Sequence, residues 1–290
     1  PRQRFWTIRA RHIILASGAL ERHVAFNNND IPGVMTVNAS KHYLHRYGII
    51  TGKKIVIATN NDSVYETAKE LYEAGSKVTI IDSRKKINIE LPKGIQHYLN
   101  TVPFNINGKK NIESLDVCQT NDSTKKNTII CDQVLISGGW SPIVNLVSHR
   151  GIKPIWNEDN LCFIPGEIKE NITVVGSARG IWNLNDCENS GIVGANDALN
   201  KLGIHKKEIT FPKVGGWVNP IEPLFEVKSK KFPSKSFVDF QHDVTVDDVR
   251  LAHREGFISV EHLKRYTTLG MANDQGCLLY TSPSPRDSDS

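Results

Sequence analysis

No stretch of this 290-residue sequence approaches the roughly 18 consecutive apolar residues that a membrane helix needs, and no basic-then-apolar leader precedes a cleavage site. A soluble, cytoplasmic chain with no membrane partner is the expectation. Cysteine is sparse: Cys118, Cys131, Cys162, Cys187 and Cys277 are scattered without a CxxC pair. That pattern suits reduced thiols and excludes a disulfide framework or a zinc site, so the cysteines receive no chemistry. GxSxG, HExxH and Walker loops are absent, which leaves hydrolase and phosphoryl-transfer readings without support. His242, His253 and His262 match no metal spacing and read as solvated helix residues.

Strong charge of one sign is also missing. The 36 Lys and Arg against 31 Asp and Glu leave a formal +5, spread along the chain rather than massed in a stripe, so no nucleic-acid partner is expected. A hydrophobic content of 39% over this length suffices for one large core or two modest ones.

What is present has the rhythm of an α/β protein. The run Arg11-His-Ile-Ile-Leu-Ala-Ser-Gly-Ala19 reads as a buried strand ending in small residues. A turn at Asp30–Gly33 and a helix from about Asn38 to Tyr47, closed by Gly48, follow. Lys53–Thr59, Ser63–Ala74 and Lys77–Asp82 then form a strand, helix, strand unit, with Asp82 where a ribose-binding acid would sit. Its first turn should carry phosphate-binding glycines, but Thr59-Asn-Asn-Asp-Ser63 has none. Residues 87–128 suggest a small antiparallel meander.

Two further runs, ending at Ser137-Gly138-Gly139 and Val175-Gly176-Ser177, repeat the opening pattern, and the second leads into a helix from about Glu188 to Leu202. Small residues at strand ends let a pyrophosphate or ribose touch backbone, with a helix N-terminus supplying unpaired N–H groups. One such glycine marks a tight turn as readily as a ligand; three at strand ends raise the ligand reading to parity. Residues 211–236, rich in Pro, Lys and Gly, read as a linker. Thr245 and Asp248 offer a capping box for a helix through His253, and Ser259 a cap for a second helix ending near Tyr266.

The segments Ile14-Leu-Ala-Ser-Gly-Ala-Leu-Glu-Arg22, Phe26-Asn-Asn-Asn-Asp-Ile-Pro-Gly-Val-Met35, Ser137-Gly-Gly-Trp-Ser-Pro142, Asp239-Phe-Gln-His-Asp-Val-Thr245 and Glu261–Gly270 together resemble the alpha subunit of heterotetrameric sarcosine oxidase. The resemblance implies a two-dinucleotide-binding-domain fold, Rossmann-like and truncated, followed by a small helical module. The implied division is 1–50, remnant of the first dinucleotide-binding domain; 51–128, an inserted second one; 129–210, a return to the first; 211–236, linker; 237–276, helical module; and 277–290, a disordered or unrelated tail. It further implies NAD held by Ser17, Gly18, Ala19, Gly138, Gly139, Gly176 and Ser177, with no catalytic residue and no metal ligand in this stretch. FAD and FMN would come mainly through a partner beta subunit, accompanied by gamma and delta subunits.

The implied reaction is oxidative demethylation of sarcosine to glycine, the one-carbon unit passing to tetrahydrofolate and electrons through flavin to oxygen, giving hydrogen peroxide. Related proline or opine dehydrogenases and cyanide synthases, or a non-catalytic assembly scaffold, are the alternatives. Relatives with a [2Fe-2S] cluster place cysteines where Asp239, Gln241 and Asp274 stand, so no cluster is expected. The first phosphate loop, expected upstream of Pro1, and a downstream folate domain are not in this stretch, so the fragment alone is expected to be inactive.

Overall fold

The computed structural model describes residues 4–168, 171–204, 219–228 and 235–271. They divide into two units. The smaller takes residues 4–19, 142–157, 162–168 and 171–204; the larger takes 20–141, 158–161, 219–228 and 235–271.

The larger unit is built on a parallel sheet of five strands in the order Val34–Thr36, Gln133–Ser137, Lys54–Thr59, Lys77–Asp82, Gln96–Tyr98. Strands Lys54–Thr59, Lys77–Asp82 and Gln133–Ser137 are buried along nearly their whole length, as unbroken Val/Ile-rich runs require when both faces of a sheet are covered. On one face, helices Val37–Tyr47 and Val64–Glu73 bring Val37, Val64, Ala68 and Leu71 against Ile55, Ile57, Ile80 and Leu135. On the other, Val56, Ala58, Ile81, Val134 and Ile136 share a core with Phe104, Ile106, Leu115 and Val117. These last come from an antiparallel meander of Thr101–Gly108, Ile112–Gln119 and Asp122–Ile130, whose third strand runs two residues past the expected 87–128.

Local signals act as their chemistry dictates. Gly48 adopts φ 65° and its N–H reaches Leu44 O, while Ile49 N–H reaches Tyr43 O, which satisfies the last carbonyls of the first helix. Asp248 accepts from Thr245 N–H and Thr245 Oγ1 from Asp248 N–H, a reciprocal cap on helix Val246–Arg254. Helix Val260–Thr267 follows Ser259, whose side chain makes no capping bond.

Two expected boundaries need correction. The resemblance groups residues 129–141 with the first dinucleotide domain. They lie in the larger unit instead: Gln133–Ser137 pairs in parallel with Ile55–Thr59 and Val34–Thr36, and its apolar side chains fill both of that unit's cores. Residues 20–50, expected with the first domain, belong to the larger unit as well. The linker expected over 211–236 does not hold at 219–228, where Leu224 and Val227 are core residues; its remaining residues, apart from 235–236, and the expected tail lie outside the described ones. No helix among the described residues is long and apolar enough to cross a membrane.

The smaller unit pairs Ile13–Leu15 with Ile172–Val174 in parallel, Ile13 against Ile172 and Leu15 against Val174. Val144, Val147, Val174 and Ala178 form its core, with Leu15, Ile152 and Ile172 packed on it. Its long helix, Leu184–Lys201, begins four residues earlier than expected, because the Asn183 side chain caps Asn185 N–H.

Candidate functional site

In the smaller unit, the two parallel strands deliver Ser17-Gly18 and Gly176-Ser177 from their carboxyl ends side by side. Val175 N–H bonds Leu15 O at 3.0 Å, which holds the ends in register. Gly18 adopts φ 80° and Gly176 φ 66°, the left-handed region in which a Cβ is strained. Among the described residues, a Cβ on Gly176 would meet nothing within 4 Å, and one on Gly18 only the Ser177 hydroxyl at 4.0 Å. Backbone hand, not packing, therefore fixes these glycines, and the space before them is open.

The chain braces this corner from behind. Ser17 Oγ donates to Ile143 O at 3.2 Å, Ile143 N–H donates to Gly18 O at 3.0 Å, and Gly176 N–H reaches Ser190 Oγ at 3.2 Å. Ser17 is thereby occupied in positioning, while Ser177 presents a hydroxyl toward Gly18. A cavity of about 290 Å³, lined among others by Val175, Arg179, Asp186, Ser190 and Gly194, lies along helix Leu184–Lys201; Ser17, Gly18, Ala19, Gly176 and Ser177 are not among its lining residues.

Gly138 and Gly139 lie in the larger unit and are glycines for a different reason. Gly138 N–H donates to Arg22 O and Arg22 N–H to Gly139 O, both at 2.8 Å. A Cβ on Gly138 would stand 2.9 Å from His23 O, and one on Gly139 2.7 Å from the Ile221 side chain. The close approach here is made by the chain's own residues 22–24 and 221. The Arg22 guanidinium donates to Gly138 O at 3.2 Å and to Leu161 O.

The glycine-free loop and Asp82 form a buried ionic cluster that sequence reading missed. Arg84, 1% exposed, donates from Nε and Nη2 to both oxygens of Asp82 and from Nη1 to Asp62 Oδ1 at 2.7 Å. Burial opposes the Arg84 charge, but the bonds and charges of Asp82 and Asp62 outweigh it and strengthen its hold on the proton. Tyr65 donates to Asp82 Oδ2 at 2.6 Å; burial, then the Asp82 charge and that bond, push its ionisation far up. The acid expected to meet a ribose is thus engaged internally. The signal in the sequence is three charged residues, Asp62, Asp82 and Arg84, of which Asp82 and Arg84 are near neighbours while Asp62 joins them only through a pairing across 22 positions.

Glu21 is a second residue the sequence did not single out. Its carboxylate accepts Asn38 N–H at 2.7 Å, in the first turn of helix Val37–Tyr47. Burial raises its pKa from 4.5 to about 7, against the bonds from Asn38, Ser137 and Thr36 that lower it. Because the folded pKa lies above the unfolded one, Glu21 contributes stability that is complete below pH 4.5 and lost as pH rises through 7. Glu21→Gln is accordingly expected to match the parent at pH 4.5 and to exceed it by about 1–2 kcal/mol at pH 8 after discounting partial exposure, read as a urea midpoint at each pH. An equal midpoint at pH 8 would remove the buried-acid account.

In the helical module, the Asp239 carboxylate accepts N–H bonds from Gln241 (2.9 Å), His242 (3.2 Å) and Gly270 (2.7 Å). Burial resists its charge, yet these bonds hold its pKa below the ordinary carboxylate value. An anion thus ties the turn after Phe237–Asp239 to the end of helix Val260–Thr267. Asp274 lies outside the described residues.

Comparison with known proteins agrees with this architecture. Residues 233–280 match the sarcosine oxidase A3 domain family. The sarcosine oxidase subunit alpha of Rhizobium meliloti (strain 1021) is 37% identical over 96% of this chain and 28% of its own length. That of Corynebacterium sp. (strain P-1) is 30% identical over 95% of this chain and 30% of its own length. This chain therefore spans less than a third of these curated relatives. The crystal structure of L-proline dehydrogenase from P. horikoshii has the same fold, with a TM-score of 0.65 and 20% identity over 92% of this chain and 50% of that one.

Proposed function

We propose that this chain, homologous along nearly its whole length to sarcosine oxidase alpha subunits, is the nucleotide-holding part of such an oxidoreductase subunit, with NAD seated at Ser17-Gly18-Ala19 and Gly176-Ser177. The observation that carries this reading is the pair of left-handed glycines, Gly18 and Gly176, side by side at the ends of parallel strands with open space before them. Ligands of open parallel sheets lie outside the carboxyl ends of the strands, where bare backbone can approach a pyrophosphate.

The donor set suits the uncharged hydroxyls of a ribose. Ser177 offers a hydroxyl, donor and acceptor at once, where an acid would impose charge; Ser17 holds the turn through Ile143. When bound, NAD supplies a two-electron hydride carrier, and the residues here only orient it. Gly138 and Gly139, also candidates by sequence, lie in the larger unit and pack against Arg22–Val24.

For the whole protein, the reading is oxidation of sarcosine to glycine with transfer of the one-carbon unit to tetrahydrofolate, electrons leaving through flavin held mainly by a beta subunit, with gamma and delta subunits completing the complex. The gene product carrying this chain, co-purified with its partner subunits, is expected to consume oxygen and release peroxide with sarcosine. Turnover with proline or an opine and none with sarcosine would replace the substrate assignment with that of a related dehydrogenase.

A further inference from the structure

We infer that residues 219–227 are a built-in strap that fills the ligand crevice of the larger unit, so that this second dinucleotide-type fold is closed to nucleotides. The inference concerns the larger unit alone and stands whether or not the smaller one holds NAD.

In an open parallel sheet the ligand crevice lies at the carboxyl ends of the strands, where the strand order reverses. Here the chain leaves Lys54–Thr59 for Lys77–Asp82 on one side, and Gln133–Ser137 returns on the other. The crevice is bounded by Asn60, by Asp82 and by Gly138. The strap takes up the groups at each of these edges. Asn60 Nδ2 donates to Glu222 O at 2.6 Å and Glu222 N–H donates to Asn60 O at 3.2 Å. Asn219 N–H and Nδ2 donate to Asp62, and Arg84, locked on Asp82, donates to Pro220 O at 3.1 Å. The Ile221 side chain closes over Gly139.

The far end of the strap is anchored as firmly. Ala25 N–H bonds Phe225 O at 2.9 Å and Val227 N–H bonds Ala25 O at 2.8 Å, while Arg22 lies over the Phe225 ring, 5.2 Å from its centre. Leu224 and Val227 are buried in the core with Val24 and Phe26. A pyrophosphate entering this crevice would have to displace a peptide already paired with the loop it needs, and would face the carboxylates of Asp62 and Asp82. In place of glycines the loop carries Asn60 and Asn61, whose side chains donate to Glu222 O in the strap and to Ser137 O at the end of its strand.

Amide hydrogen exchange on the full-length subunit, alone and with excess NADH or NADPH, tests this. The strap predicts that the amides of Asn219 and Glu222 exchange at least about tenfold slower than in an unstructured peptide, and that neither nucleotide changes them or residues 59–63. Asp62→Ala is expected to release Asn219 and raise exchange over 219–222 by about tenfold or more while Lys54–Thr59 and Lys77–Asp82 stay protected; should that variant not fold, Asp62→Asn serves. Unprotected strap amides, or strap amides that exchange faster while 59–63 become protected on adding nucleotide, would overturn it. Slower exchange near Gly18 and Gly176 alone would report the smaller unit and leave the strap intact.

Discussion

Arg84→Ala is expected to destabilise the larger unit by about 3–5 kcal/mol, because it removes a buried cation that bridges two buried carboxylates. Arg84, Asp82 and Asp62 are 1%, 0% and 8% exposed, so water cannot take over the lost bonds. The loss is electrostatic rather than volumetric: Arg84→Met, which keeps much of the stem, is expected to lose nearly as much. Combining Arg84→Met with Asp62→Asn and Asp82→Asn is expected to recover a large part of the loss, since a neutral network of similar shape avoids the desolvation of unpaired charge. Urea midpoints at constant slope report all three. If Arg84→Ala shifted the midpoint no more than a surface substitution does, the ionic cluster would not be what holds the glycine-free loop.

The second large effect separates the two kinds of glycine. Gly176→Val places a β-branched side chain at φ 66° and fills the open space at the strand end. Strain of about 1–2 kcal/mol in the left-handed region adds to direct blockage, and nucleotide retention in the purified complex is expected to fall at least about tenfold. Gly138→Ala should behave in the opposite way. Its Cβ would press on His23 O at 2.9 Å, so overpacking costs about 1–3 kcal/mol of stability, while the folded fraction keeps its nucleotide. Equal nucleotide loss in both variants would return Gly138 to the ligand-binding set.

How far the sequence was legible depended on whether the signal was local. The caps at Gly48 and Thr245, the helix after Ser63 and the antiparallel meander all rest on residues a few positions apart and are legible, though the meander's last strand runs to Ile130. A strand ending in small residues is legible too, but its expected burial does not hold at Ile13–Leu15, where Ile13 and Ile14 are exposed. That pattern is the same whichever sheet the strand joins, which is why Gln133–Ser137 went to the wrong unit: only its register with Lys54–Thr59 decides. Gly138 and Gly176 likewise look alike in sequence; one is pressed by backbone 22–24 and the other faces open space. The Arg84 cluster joins residues 22 positions apart, and its bond to Pro220 spans 136 positions, beyond any periodicity. Residues 219–227 read as linker because Pro and Asn break the period, although Leu224 and Val227 are core residues.

The most direct test is the nucleotide itself. The complex carrying this chain, purified with its partner subunits, is denatured and the released nucleotides are identified by chromatography and mass. NAD released together with FAD and FMN, and NAD lost in Gly176→Val, is the predicted result; flavins released without NAD from the parent complex would contradict the assignment of the Gly18 and Gly176 corner as a dinucleotide site.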